Sequence, residues 1–221
     1  MRSSALCAKD DKVVSAKNTK MKIIGLTGGV ASGKNLIAEI FAKNGAAVFD
    51  ADAEVHKLLE LDKSTIQAVK KIFPASFIEQ KIDRKILGKI VFADEKKLRV
   101  LEKILHPKVR KNYQKFLKSA REEKKKFAVL NIPLLLETKG YKCDYVVAII
   151  AKKSVQKKRF LAREKNKNPA AKISESEKKF TKIISKQISN SERKAKADFV
   201  IKNDGSMTDA AVQVKKILSQ I

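Results

Sequence analysis

Residues 22–35 read Lys22-Ile23-Ile24-Gly25-Leu26-Thr27-Gly28-Gly29-Val30-Ala31-Ser32-Gly33-Lys34-Asn35. An apolar run leads directly into Gly28-x4-Gly33-Lys34, the spacing of a phosphate-binding P-loop. Glycine lets the backbone close tightly round an anion, so that consecutive N–H groups point at its oxygens. A helix expected from about Gly33 adds the positive end of its dipole, and Lys34 brings a mobile ammonium. The context fits: a strand precedes the loop, and Leu36–Ala42 has the pattern of an amphipathic helix. The competing reading is a chance glycine-rich turn. Asn35 stands where a P-loop normally has Ser or Thr, whose hydroxyl binds Mg²⁺. Its side-chain carbonyl is a neutral oxygen donor and a candidate metal ligand, longer than serine by one heavy atom.

Working outward, 221 residues suffice for one α/β domain with inserted helical pieces. No apolar run reaches the roughly 18 residues that span a bilayer, so no membrane association is expected. Met1–Lys20 is polar and lacks a secretory pattern. Cys7 and Cys143 give neither metal spacing nor a disulfide framework. These features predict a cytoplasmic protein.

The formal net charge of +26 raises the prospect of a nucleic-acid partner. The distribution argues otherwise. Lysines are scattered over nearly every expected helix, aromatics make up 6 %, and there is no Trp to offer a stacking platform. A lysine-biased proteome with small polyanionic substrates explains the charge at least as well, and no specific nucleic acid is expected. Only eight of the basic residues are arginines, and Arg159 and Arg163 lie one helical turn apart.

The fold class predicted is α/β: a doubly wound parallel sheet with an inserted helical subdomain and a helical lid. Residues 1–20 read as a disordered extension with Met21 the expected start, and 21–221 as a single domain. Strands are expected at Lys22–Leu26, Ala46–Phe49, Phe127–Ile132, Asp144–Ala151 and Asp198–Ile201. Continuous β-branched runs such as Asp144–Ala151 suit a parallel sheet covered on both faces. The core comprises 21–62, 123–152 and 195–221. Residues 63–122 form the helical insert, broken at Phe73-Pro74 and His106-Pro107, with Pro107 at a helix start. Residues 153–194 form the lid, with helices Ser154–Lys165 and Ser174–Ser189 around a polar loop.

Several constellations carry chemistry. Asp50 and Asp52 stand at the carboxyl end of the second strand, the edge where open α/β sheets bind ligands. A carboxylate there takes a proton from an acceptor hydroxyl, holds Mg²⁺, or caps the next helix. Gln156, Arg159 and Arg163 share one helix face, suited to gripping phosphate oxygens or to lying solvated. His106 with Arg110 is either structural or a ligand pair. Asn131-Ile132-Pro133 with Glu137 follows a strand tip, and Asn203-x-Gly205 a later one.

In their order these pieces resemble the dephospho-coenzyme A kinase family. The matching residues are Gly25-Leu26-Thr27-Gly28-Gly29, Ser32-Gly33-Lys34, Asp50-Ala51-Asp52 and Leu105-His106-Pro107 with Arg110. They continue with Pro133-Leu134-Leu135 and Glu137, Gln156 with Arg159 and Arg163, Gln187, and Ala197-Asp198 with Ile201 and Asn203. The match runs from about residue 22 to 219. The resemblance implies a P-loop kinase fold and MgATP-dependent phosphorylation of the ribose 3′-hydroxyl of dephospho-coenzyme A, the last step of coenzyme A synthesis. It implies Asp52 as general base, with Lys34 and Arg159 stabilising the transferred phosphoryl group. ATP would be held by Gly29, Ala31, Ser32, Gly33, Lys34, Asn35, Leu36, Arg163 and Asn203. The acceptor would be held by His106, Arg110, Pro133 and Glu137.

The chain departs from the family pattern at Asn35. Ala31 replaces a frequent glycine, harmless if its φ is negative. Asn131 stands where many relatives have Asp, and Lys182 where an arginine is usual. Two other readings compete: a P-loop kinase of another metabolite or nucleotide, and a basic nucleic-acid-binding protein with a degenerate loop.

Overall fold

The structure is a computed structural model that describes residues 20–132, 135–136, 141–170 and 172–221. The extension expected over 1–20 lies outside them, apart from the exposed Lys20.

The chain runs β1 (Lys22–Gly28), α1 (Lys34–Lys43), β2 (Ala47–Asp50), α2 (Ala51–Leu61) and α3 (Lys63–Ile72). A single 3-10 turn at Pro74–Ser76 leads to a two-stranded hairpin, β3 (Phe77–Ile78) and β4 (Lys81–Ile82). Then come α4 (Arg84–Phe92), α5 (Glu95–Glu122), β5 (Phe127–Asn131) and β6 (Tyr145–Ile150). The last part holds α6 (Lys153–Lys167), α7 (Ile173–Ser185), α8 (Asn190–Ala195), β7 (Phe199–Lys202) and α9 (Met207–Leu218).

Five strands form one parallel sheet in the order β2-β5-β1-β6-β7. β1 is central, with Leu26 opposite Asn131 on one side and Gly28 opposite Ile149 on the other. Alternation along the strands separates two cores. Ile24, Leu26, Val129, Val147 and Ile149 pack with Ile37 and Phe41 of α1 and Val214 and Ile217 of α9. Ala128 and Leu130 face the opposite way and pack with α2, α3, α4 and α5. The sheet is doubly wound, as the sequence predicts. Gly25 lies on the second face, where an added Cβ would overlap Leu135 and Cys143.

Residues 63–122 differ from expectation in two respects. His106-Pro107 is not a break: Pro107 lies inside α5, which runs 28 residues unbroken. A mid-helix proline costs about 3 kcal/mol. The buried stripe Leu101, Leu105, Val109, Tyr113 and Leu117 runs past it on both sides and holds the helix together. The segment is also not wholly helical, since β3 and β4 turn at Glu79 and Gln80, both with positive φ (47° and 64°). The second predicted lid helix ends at Ser185, and a short α8 follows under a Ser189 cap.

Candidate active site

β1 ends at the sheet's carboxyl edge, and residues 29–33 turn back to start α1. Ser32 N–H donates to the Gly29 carbonyl at 3.1 Å, closing the turn. Gly33 takes φ 89°, and a Cβ there would overlap Asn203 Nδ2. That amide donates to the Ser32 carbonyl at 2.7 Å, so the tip of β7 clamps the loop from beneath. The first N–H that bonds back within the helix is that of Ile37, to the Gly33 carbonyl. The N–H groups of Lys34, Asn35 and Leu36 at the start of α1 have no acceptor within the helix, the arrangement that suits an anion. Ala31 has φ 55°, so the condition under which it replaces glycine harmlessly is not met. A left-handed L-residue costs about 1–2 kcal/mol.

The peptide of Val30 is held from both sides. Its N–H donates to Gln187 Oε1 and its carbonyl accepts from Gln156 Nε2, both at 2.9 Å. Gln156 lies on α6 and Gln187 just beyond α7. These helices are joined by the tilted ring pair of Phe160 and Phe180, centroids 5.4 Å apart, and by the ion pairs Lys157–Glu177 and Lys179–Glu164. Arg193 of α8 is buried beside them and donates to the Ile188 carbonyl.

A cavity of about 410 Å³ opens over the loop. Gly29, Ala31, Gly33, Lys34, Asn35, Asp52, Arg159 and Arg163 line it, so most of the predicted site residues converge. Ser32 is buried beneath, and Leu36 packs into the α1–α9 core instead of lining the space. Arg159 Nη1 is buried with no hydrogen-bond partner among the described residues. Arg163 lies over the Phe160 ring. Lys182 is exposed and not part of the wall. His106 and Arg110 are not brought to this cavity; with Arg99, Lys103 and Lys111 they line a separate depression along α5. Pro133 and Glu137 lie outside the described residues.

At the tip of β2 the two aspartates divide their tasks. Asp50 caps α2, its Oδ1 accepting Ala53 N–H at 2.9 Å, while its Oδ2 accepts Asn131 Nδ2 at 2.7 Å. Asp52 lies in the first turn of α2 and faces the cavity. Burial raises its pKa above the ordinary carboxylate value, Lys34 opposes this, Asp50 adds to it and His56 opposes it. Asp52 is exposed at the cavity, so its desolvation is partial. Cys143, by contrast, is pushed up to about 11 by burial, which excludes it as a ready nucleophile.

Sequence reasoning did not anticipate the part played by Val30, or the presence of Ile183 in the wall. Gln187 was legible only through the family pattern. Asn131 joins the site directly, its Nδ2 reaching Asn35 Oδ1 at 3.1 Å as well as Asp50.

A phosphate loop on the central strand of a 2-5-1-6-7 parallel sheet, with a carboxylate and two arginines over it, defines a P-loop kinase. The family model described as dephospho-CoA kinase matches residues 22–209. The chain belongs to the dephospho-CoA kinase family, whose members phosphorylate dephospho-coenzyme A with ATP in coenzyme A biosynthesis. A dephospho-CoA kinase of Bartonella henselae is 39 % identical over 202 residues, 91 % of this chain and 98 % of that one. Among solved structures, TT1252 from Thermus thermophilus superposes with a TM-score of 0.74 at 27 % identity, covering 91 % of this chain and 98 % of its own. Dephospho-CoA kinase from Campylobacter jejuni gives 0.61 at 29 % identity, covering 90 % and 96 %. No helix of the described residues is long and apolar enough to cross a membrane.

Proposed function

We propose that the cavity holds the triphosphate of ATP and that the phosphoryl group passes to the ribose 3′-hydroxyl of dephospho-coenzyme A. The observation that carries this reading is the placement of Asp52 and Lys34 in one cavity within electrostatic reach of each other, with Arg159 lining the same space. Asp52 takes the proton of the acceptor hydroxyl as its oxygen attacks the γ-phosphorus, and the bond to the β-phosphate oxygen breaks to release ADP. Lys34 and the half-buried Arg159 meet the charge on the transferred group, the main task in phosphoryl transfer. The 29–36 backbone and Arg163 hold the phosphates, and Asn203 keeps the loop in shape. The α6–α7 pair acts as the lid. His106, Arg110, Pro133 and Glu137 take the acceptor, with His106 and Arg110 receiving a part of it away from the reacting ribose.

The Mg²⁺ that accompanies ATP in this reading finds a poor partner in Asn35, whose Oδ1 already accepts from Asn131. Among the described residues no three His, Cys, Asp or Glu side chains cluster to hold a metal. The donor set does not fit a protein-built cage. A cytoplasmic location accords with the substrates.

The direct test is ADP release with dephospho-coenzyme A, adenosine, AMP or no acceptor. Turnover with dephospho-coenzyme A alone is expected. Equal rates with AMP would transfer the assignment to another acceptor.

A further inference from the structure

Asn35 is set in a chain of amide bonds whose polarity can be read from its far end. Both oxygens of Asp50 accept, Oδ1 from Ala53 N–H and Oδ2 from Asn131 Nδ2. A carboxylate oxygen calls for a donor, so Asn131 must turn its nitrogen, not its oxygen, toward Asp50. Asn131 is 3 % exposed and lies opposite Asp50 in the β2–β5 register, so it is held in place. The same nitrogen has a second hydrogen to donate and stands 3.1 Å from Asn35 Oδ1. Reversing Asn131 would press an oxygen against both the carboxylate and the Asn35 carbonyl. Asn131 Oδ1 is left on the other side, buried and with no hydrogen-bond partner among the described residues.

The oxygen of Asn35 is therefore committed inward. On a planar amide the nitrogen diverges from the oxygen, and the exposed Asn35 side chain lines the cavity beside Lys34. We propose that Asn35 presents its amide N–H₂ to the cavity and donates a hydrogen bond to a phosphate oxygen of the nucleotide, in place of ligating a cation. It adds one more donor to a helix start already lined with N–H groups, where an anion is favoured. Asn131 is the positioning residue that fixes this polarity. The inference rests on the proposed nucleotide site.

The test is calorimetric titration of the full chain with ADP, once in EDTA and once in Mg²⁺. If the wild-type chain binds ADP in neither condition, the nucleotide site itself falls and the inference with it. If it binds, Asn35→Ala is expected to lose about tenfold or more in affinity, by the same factor with and without metal, the scale of a hydrogen bond to a charged group. Asn35→Asp, which sets a carboxylate against the phosphate, is expected to lose more in EDTA. Asn131→Leu removes the donor that holds the Asn35 oxygen inward and adds no charge. It is expected to lose ADP affinity in EDTA by no more than Asn35→Ala does, with no further loss when both changes are combined. Wild-type ADP affinity of Asn35→Ala in EDTA would overturn the donor role, and additive losses in the double variant would overturn the part given to Asn131.

Discussion

Gln187 Oε1 accepts the backbone N–H of Val30 at 2.9 Å, across 157 positions of sequence. One contact therefore joins the end of α7 to the middle of the phosphate loop. Gln156 Nε2 completes the grip on the carbonyl of the same residue. The loop is held in shape by the helices proposed to close over it.

Gln187→Ala is expected to raise the KM for ATP by up to about tenfold, because a neutral hydrogen bond contributes about 0.5–1.5 kcal/mol. Gln156→Ala should do the same. The two act on one residue's backbone, so the double variant should fall short of the sum. Steady-state kinetics with varied ATP checks this, and an unchanged KM in both single variants would mean that the loop shapes itself.

Lys34→Ala should abolish nearly all kinase activity while circular dichroism and melting behaviour stay those of the wild type. Arg159→Lys keeps the charge and loses the planar fork. Its kcat should fall tenfold or more, since a charge-assisted bond contributes roughly 1.5–3 kcal/mol. Wild-type kcat in Arg159→Lys would place that guanidinium outside the chemistry.

Asp52→Asn should cut kcat by about 10²–10⁴, the usual range for a general base, with little change in acceptor affinity. Asp50→Asn, which can still cap α2, should do less. The raised pKa of Asp52 fixes the pH profile: the base works deprotonated, so activity falls on the acid side, at a midpoint above the ordinary value of about 3.9. The sign for stability is opposite to that of an ion-paired carboxylate. Proton binding by Asp52 favours the folded state below the unfolded pKa, and this is lost as pH rises through the folded value. Asp52→Asn should therefore melt at pH 7 no lower than the wild type. A kcat/KM–pH profile, which reports the free enzyme, and thermal melts at pH 5 and 7 decide both points.

Ala31→Gly should stabilise the chain by about 1 kcal/mol, since the left-handed φ of 55° penalises a Cβ and glycine relieves it. Chemical denaturation measures this directly. A loss of stability would show that the alanine methyl contributes packing that outweighs the backbone strain.

The parts of the fold that were legible in sequence are those with a local signature. Glycine spacing marks the phosphate loop, and unbroken runs such as Tyr145–Ile150 mark strands buried on both faces. Pro107 misled because a local penalty was outweighed by a buried stripe that continues past it. The β3–β4 turn was silent because Glu79 and Gln80 adopt positive φ without the Asn or Gly that usually announces it. The glutamine grip on Val30 and the Asn35–Asn131 bond were silent for another reason. A polar residue in a polar segment carries no mark of its partner, and Asn35 and Asn131 are 96 positions apart. Asp52 and Lys34 could be named from motifs, but their electrostatic coupling becomes visible only once β2 and β1 stand two places apart with β5 between them.

The strand order has a consequence for the birth of the molecule. β1 pairs with β5 and β6, and β2 pairs with β5; β1 and β2 do not touch. A nascent chain that has reached only residue 126 thus holds two of the five sheet strands and not one bond between them. The phosphate loop leaves the ribosome before its partner strands, so it has no sheet to stand on until Phe127–Asn131 and Tyr145–Ile150 arrive, and no Asn203 clamp until later still. Such distant pairings close slowly. In the interval the emerging apolar run Ile23–Leu26 is an unpaired strand, the kind of segment that chaperones protect.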